Sequence, residues 1–175
     1  MILFRTADTG VAFKQRQVDI VAVPFSQIIT ADDGQGPYQE AFDPALAVEL
    51  LRDPVPALLH HDPMQPFGHV QIRGAASEGV IGTMHAAKTP TGDEALELAA
   101  ARVLYPSIGF SGVAHTMRGK IRWRTAIVLH EVSLVTFQAY PGATVTGVRS
   151  TTQQYPNLHQ AQGLANIRKH GKANT

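Results

Sequence analysis

The sequence predicts a mainly β chain with a few helices, an antiparallel sheet or barrel built as one domain. Two observations point there. Short, β-branched apolar runs recur between Pro, Gly and Asp residues, and only two segments carry helical spacing. A third sets the size: 175 residues at 44% hydrophobic content can bury one sizeable core and are too few for two ordinary domains.

The strand candidates, in order, are Val18 to Phe25, Val55 to Leu59, His69 to Ile72, Gly79 to Met84, Ile108 to Val113, and Ile121 to Phe137 with a break inside it. The first helical segment is Pro44 to Leu51, where Leu46, Val48, Leu50 and Leu51 are the apolar positions. The second runs from Asp93 to Leu104, with Leu96, Ala99, Ala100, Val103 and Leu104 on one face. Thr91 or Gly92 begins it, Asp93 and Glu94 complement the dipole of its first turn, and Pro106 ends it by Tyr105. Thr30 to Tyr38 (TADDGQGPY) reads as a Gly/Asp-rich loop. From Ser150 onward the chain is rich in Gln, Asn, Thr and Lys without apolar periodicity, so residues 1–149 are expected to fold and 150–175 to form a polar tail.

Composition excludes several function classes. Fifteen basic and fourteen acidic residues leave a net charge of +1, so no global field draws the chain to nucleic acid or to a membrane surface. The absence of cysteine removes disulfides, thiolate metal sites and a cysteine nucleophile, so any nucleophile is an oxygen. No apolar run approaches the roughly 20 residues that span a bilayer, and MILFRT does not open a secretory signal. The expectation is a soluble protein without nucleic-acid or membrane partners.

Three segments hold residues suited to chemistry. LLHHDPMQPFGHV, Leu58 to Val70, sets His60 and His61 side by side. If Val55 to His61 is a strand, the two histidines face opposite ways and do not easily ligate one metal, and Asp62-Pro63 ends the strand. A zinc site would need His61, His69 and His85 to converge, without the helical His spacing that makes such a reading specific. LYPSIGFSG places Ser107 at the start of a strand-like run, where turn residue and nucleophile both remain open; Tyr105 two positions before it excludes the G-x-S-x-G elbow. In AIVLHEVSLVTFQAYPGA, alternation puts Leu129, Glu131, Ser133 and Val135 on one face and His130 on the other. A carboxylate among apolar neighbours needs a partner. His61 is one candidate, and an ion pair with Arg122 or Arg124 is the other.

LLHHDPMQPFGHV, YPSIGF and HEVSLVTFQAYPGA, in that order, resemble the prohead (capsid maturation) protease family of tailed bacteriophages, related in fold to the herpesvirus assemblin proteases. VDIVAVPF and YQEAFDP extend the resemblance over most of Val18 to Ala143. It implies an antiparallel β-barrel of the assemblin type, ringed by helices, and a serine endopeptidase with His61 as general base, Ser107 as nucleophile and Glu131 as third member. It also implies a major capsid protein or scaffold segment as substrate, other procapsid components as partners, self-processing, and action inside a procapsid assembling in the cytoplasm of a bacterial host. No cofactor or metal is implied, and a homo-oligomer is left open. Two positions depart from the family pattern: Pro106, where an aliphatic residue is more usual, and His60, where Asn is often found. Two alternatives stand beside this reading. One is an inactive capsid-assembly or scaffold protein of the same fold; the other is a metal-dependent hydrolase using His61, His69 and His85. The oxyanion-hole donors are not identified, and GVAHTMRGK, read as a loop, is one place for them.

Overall fold

A computed structural model describes residues 15–149; the segment 150–175, expected to be a tail, lies outside the described residues. Among the described residues nine strands and one helix follow in order: β1 (Gln17–Pro24), β2 (Ile29–Asp32), β3 (Pro37–Leu50), β4 (Val55–Leu59), β5 (Asp62–Ala75), β6 (Gly79–Ala86), α1 (Pro90–Ala100), β7 (Tyr105–Arg118), β8 (Ile121–Val135) and β9 (Thr144–Arg149). All the strands belong to one sheet, ordered β2-β3-β8-β4-β5-β6-β1-β9, with β7 on the other edge of β8.

The expected antiparallel barrel is corrected in two ways: among the described residues the sheet is not closed, and it is mixed. β3 and β4 follow one another along a single edge of β8, Ala47 to Leu50 against Ala126 to Leu129 and then Ala57 to Leu59 against Val132 to Leu134, both parallel to it. Only a short turn separates β3 from β4, so both keep the same direction along β8; the hairpin pairs β2–β3, β4–β5, β5–β6 and β7–β8 are antiparallel, as are the longer-range pairs β1–β6 and β1–β9.

The expected helix at Pro44–Leu51 is part of β3. Leu46 and Leu50 suit a helical stripe, but Leu46, Val48 and Leu50 also alternate with Ala45, Ala47 and Glu49, and the first set is half-buried while the second is exposed. Pairing with β8 selects the two-residue period. The expected loop Thr30 to Tyr38 is mostly a hairpin of β2 and β3; Asp32 Oδ1 accepts from the Gly34 and Gly36 amides and confines the turn to the residues between the strands.

The helix begins earlier than expected, because Thr89 is its N-cap, accepting from the Gly92 amide at 3.1 Å, and Pro90 occupies the first turn. It also ends earlier. Arg102 takes a left-handed φ of 58°, and the Arg102 and Val103 amides bond back to Ala99 and Leu98, a Schellman closure that leaves Val103 exposed and returns Leu104 to the core. Ala95, Leu96 and Ala99 pack into a core centred on Phe42, Phe67, Ile20, Met84, Ile127, Leu129 and Leu134. The break expected inside Ile121 to Phe137 is a bulge within one continuous strand, since Gly109 pairs with Glu131 but Phe110 with Leu129.

Candidate active site

β4 and β5 are joined by a two-residue loop, because Leu59 pairs with Asp62 across the hairpin and His60 and His61 form the turn. Both histidines have positive φ, 55° and 59°, as a tight hairpin that follows the strand twist requires. Non-glycine residues there store strain of about 1 kcal/mol or more each. The loop is held against β8: the His60 amide donates to the Leu134 carbonyl at 3.0 Å, and the His61 amide donates to Ser133 Oγ at 3.0 Å. The strand expected to reach His61 thus ends at Leu59, and Asp62-Pro63, expected to end a strand, starts β5. Pro66 and Gly68 lie within β5, which is bulged where Leu58 pairs with Pro66.

On the opposite side of β8 lies β7, where Ser107 faces Ser133 and Gly109 faces Glu131. Because β8 has β4 on one edge and β7 on the other, the three residues expected at the site come together. Ser107 Oγ lies 2.9 Å from His61 Nε2, and His61 Nδ1 lies 2.6 Å from Glu131 Oε1. Ser133 Oγ donates to Glu131 Oε2 at 2.7 Å. An ionised carboxylate only accepts, so His61 carries its proton on Nδ1 and leaves Nε2 to accept from the Ser107 hydroxyl. His61 keeps 42% of its side chain exposed while Glu131 keeps 14%, so the imidazole meets solvent and its carboxylate partner lies behind it.

Two contributors were not singled out in the sequence. Gly109 lies under the Glu131 carboxylate, where a side chain would overlap it. Ser133 is fully buried and ties Glu131 to the His61 backbone. The signal for Ser133 was its place two residues after Glu131 on the same strand face. His130 points away, with Nε2 3.0 Å from Ser111 Oγ.

The ion pairs proposed as alternatives for Glu131 are taken by other carboxylates: Arg124 Nε donates to Glu40 at 2.8 Å, and Arg122 lies 3.6 Å from Asp33. His69 and His85 stack on each other with ring centroids 4.9 Å apart, paired across β5 and β6, and do not join His61. Among the described residues no group of three or more His, Asp or Glu side chains is arranged to hold a metal ion. Partial burial pushes the His85 imidazole below the ordinary histidine range, and the neighbouring His69 and Arg149 push the same way. GVAHTMRGK is not a loop but the end of β7 and its turn into β8. Pro106 is accommodated in β7, which has β8 as its single partner among the described residues, the kind of strand that tolerates a missing N–H.

Residues 30–158 match the family model described as caudovirus prohead serine protease. The chain belongs to this family. No curated protein matches the chain. Among solved structures, it is similar to the KSHV protease crystallised with a hexapeptide phosphonate inhibitor, at 18% identity and a TM-score of 0.42, covering 87% of this chain and 76% of that one. Membership in the prohead serine protease family supports a protease role in capsid maturation.

Proposed function

We propose that this prohead protease family member is a serine endopeptidase in which Ser107 is the nucleophile, His61 the general base and Glu131 the residue that orients the base and stabilises its imidazolium. The observation that carries the reading is the continuous hydrogen-bonded chain from Ser107 Oγ through both nitrogens of His61 to Glu131. A serine hydroxyl is a weak nucleophile at neutral pH. As Oγ attacks the scissile carbonyl carbon, its proton passes to His61 Nε2, and Glu131 stabilises the imidazolium that forms. His61 then returns the proton to the leaving amine, and water repeats the cycle on the acyl-enzyme. The exposed imidazole edge beside Ser107 leaves room for a peptide to approach, while Glu131 needs no contact with substrate. The substrates in this reading are scaffold or capsid-protein segments inside the procapsid, together with the protein's own region from Ser150 to Thr175.

The test is covalent labelling and cleavage. A peptidyl fluorophosphonate is expected to add one adduct at Ser107. Ser107→Ala is expected to abolish labelling and cleavage of a capsid-derived substrate with circular dichroism unchanged, and Glu131→Gln to leave measurable activity. Wild type but not Ser107→Ala is expected to lose mass from the region 150–175 on incubation. Cleavage by Ser107→Ala at the wild-type rate would overturn the assignment, and equal trimming of both proteins would remove self-processing.

A further inference from the structure

We infer that Ser133 is a positioning residue of this site, a fourth side chain that fixes the general base and its carboxylate together; the inference rests on the triad reading of His61, Ser107 and Glu131. Ser133 occupies a particular crossing in the sheet. It pairs with Leu58 of β4 on one side and with Ser107 of β7 on the other, and lies two residues beyond Glu131 on β8. It is thus placed among all three strands or loops that supply the site.

A hydroxyl has one proton to give and lone pairs to accept with. Ser133 gives its proton to Glu131 Oε2 at 2.7 Å and accepts the His61 amide proton at 3.0 Å. Each bond removes a freedom the site cannot keep. Glu131 meets His61 through Oε1 alone, and a carboxylate held at one oxygen can still rotate about its terminal torsion; the bond to Oε2 makes it a two-point attachment. His61 stands at φ 59° in a two-residue loop, a strained backbone that persists only where its surroundings over-determine it, and Ser133 Oγ accepts its amide. Ser133 has 0% of its surface exposed, so removal of the hydroxyl leaves no open route for bulk water to replace it. The direction of the bond matters too. A hydroxyl that donates to Glu131 keeps that carboxylate an acceptor toward His61, which holds the imidazole with its proton on Nδ1 and its lone pair toward Ser107.

A role confined to packing would lower stability and leave the rate per folded molecule alone. The positioning role predicts a specific split. With active sites counted by fluorophosphonate titration, Ser133→Ala is expected to reduce kcat per titrated site about 10- to 100-fold with KM unchanged, because the substrate does not touch Ser133 and a displacement of about 1 Å in a catalytic group has that order of effect. Ser133→Thr, which keeps Oγ, is expected to restore kcat per site. A second readout needs no turnover. In the Ser107→Ala background, the proton shared between His61 Nδ1 and Glu131 Oε1 across 2.6 Å is expected to give a far-downfield NMR resonance. Ser133→Ala added to that background is expected to move this signal upfield or abolish it, and Ser133→Thr to retain it. Wild-type kcat per site in Ser133→Ala, an unmoved resonance, or a threonine variant as slow as alanine would each overturn the inference. Failure of the triad reading would look different: the wild type would not label at Ser107, while the resonance would still report whether Ser133 holds Glu131 on His61.

Discussion

Gly109→Ala isolates what the glycine of S-I-G contributes, since it adds one methyl group beneath the Glu131 carboxylate and removes no hydrogen-bonding group. A Cβ built on Gly109 would stand 3.1 Å from both Glu131 Cδ and Glu131 Cγ, and Oε1 would be nearer still. Ordinary van der Waals contact needs about 3.5 to 4 Å, so the carboxylate end has to move by about 1 Å. For folding the change is inexpensive. The obstructing atoms are the end of a flexible side chain and not backbone, and replacing glycine within a strand lowers the entropy of the unfolded chain, a gain of about 0.5 to 1 kcal/mol. For the site it is not, because Oε1 is the atom that holds His61 Nδ1 at 2.6 Å. A displacement of about 1 Å there is expected to lower kcat about 100-fold, with the urea midpoint unchanged or slightly raised. The assay pairs turnover of a fluorogenic capsid-derived peptide, per site titrated by fluorophosphonate, with equilibrium urea unfolding. Wild-type kcat in a normally folded Gly109→Ala protein would show that Glu131 need not lie over Gly109 for catalysis. A collapse in stability with an unchanged rate per site would show that the glycine serves the backbone instead.

Two further expectations concern the frame around the site. Glu40→Ala is expected to destabilise by about 3 kcal/mol or more in urea unfolding, because Glu40 is buried at 3% exposure and accepts from both Arg124 and Tyr140, leaving the Arg124 charge without its carboxylate once removed; a loss under about 1 kcal/mol would contradict this. The stacked His69–His85 pair predicts a pH dependence. The His85 pKa is lowered in the folded protein from its ordinary 6.5, so between the folded value and 6.5 the unfolded chain binds more protons and stability rises with pH. That contribution is complete above the unfolded value and is lost as pH falls through the folded one. Comparing urea midpoints at about pH 8 and about pH 5.5, near-neutral conditions in which histidine titrates, wild type is expected to lose more stability than His85→Phe; equal losses would refute the argument.

Much of the sheet was legible locally. Val18 to Phe25, Val55 to Leu59 and Gly79 to Met84 are β-branched runs between chain-breaking residues, and they form β1, β4 and β6 within a residue or two at each end. Pro44–Leu51 was misread because Leu46 and Leu50 satisfy a helical period as well as an alternating one. The choice was made by Ala126 to Leu129 of β8, some 80 residues away along the chain, which offered a strand edge. The helix start was misplaced for a local reason: Thr89-Pro90 is itself a capping signal and precedes the apolar stripe used to find the helix.

The sequence by itself limited which chemistry was available, hydroxyl, histidine and carboxylate side chains without a thiol, and its resemblance to the prohead protease family pointed to His61, Ser107 and Glu131. It did not determine that they meet. His61 is 46 positions from Ser107 and 70 from Glu131, and their contact exists because β8 takes β4 on one edge and β7 on the other. Glu131 had two plausible arginine partners nearby in sequence; tertiary structure gave Arg124 to Glu40 and Arg122 to Asp33, leaving Glu131 to His61. The conformation of His61 was equally hidden, since a strand reading extends it and the hairpin turns it left-handed against Ser133. The physical reason is common to all three. Side-chain type and local period are carried by neighbouring residues, whereas hydrogen-bond partners across a sheet are set by register, which depends on every strand pairing between them.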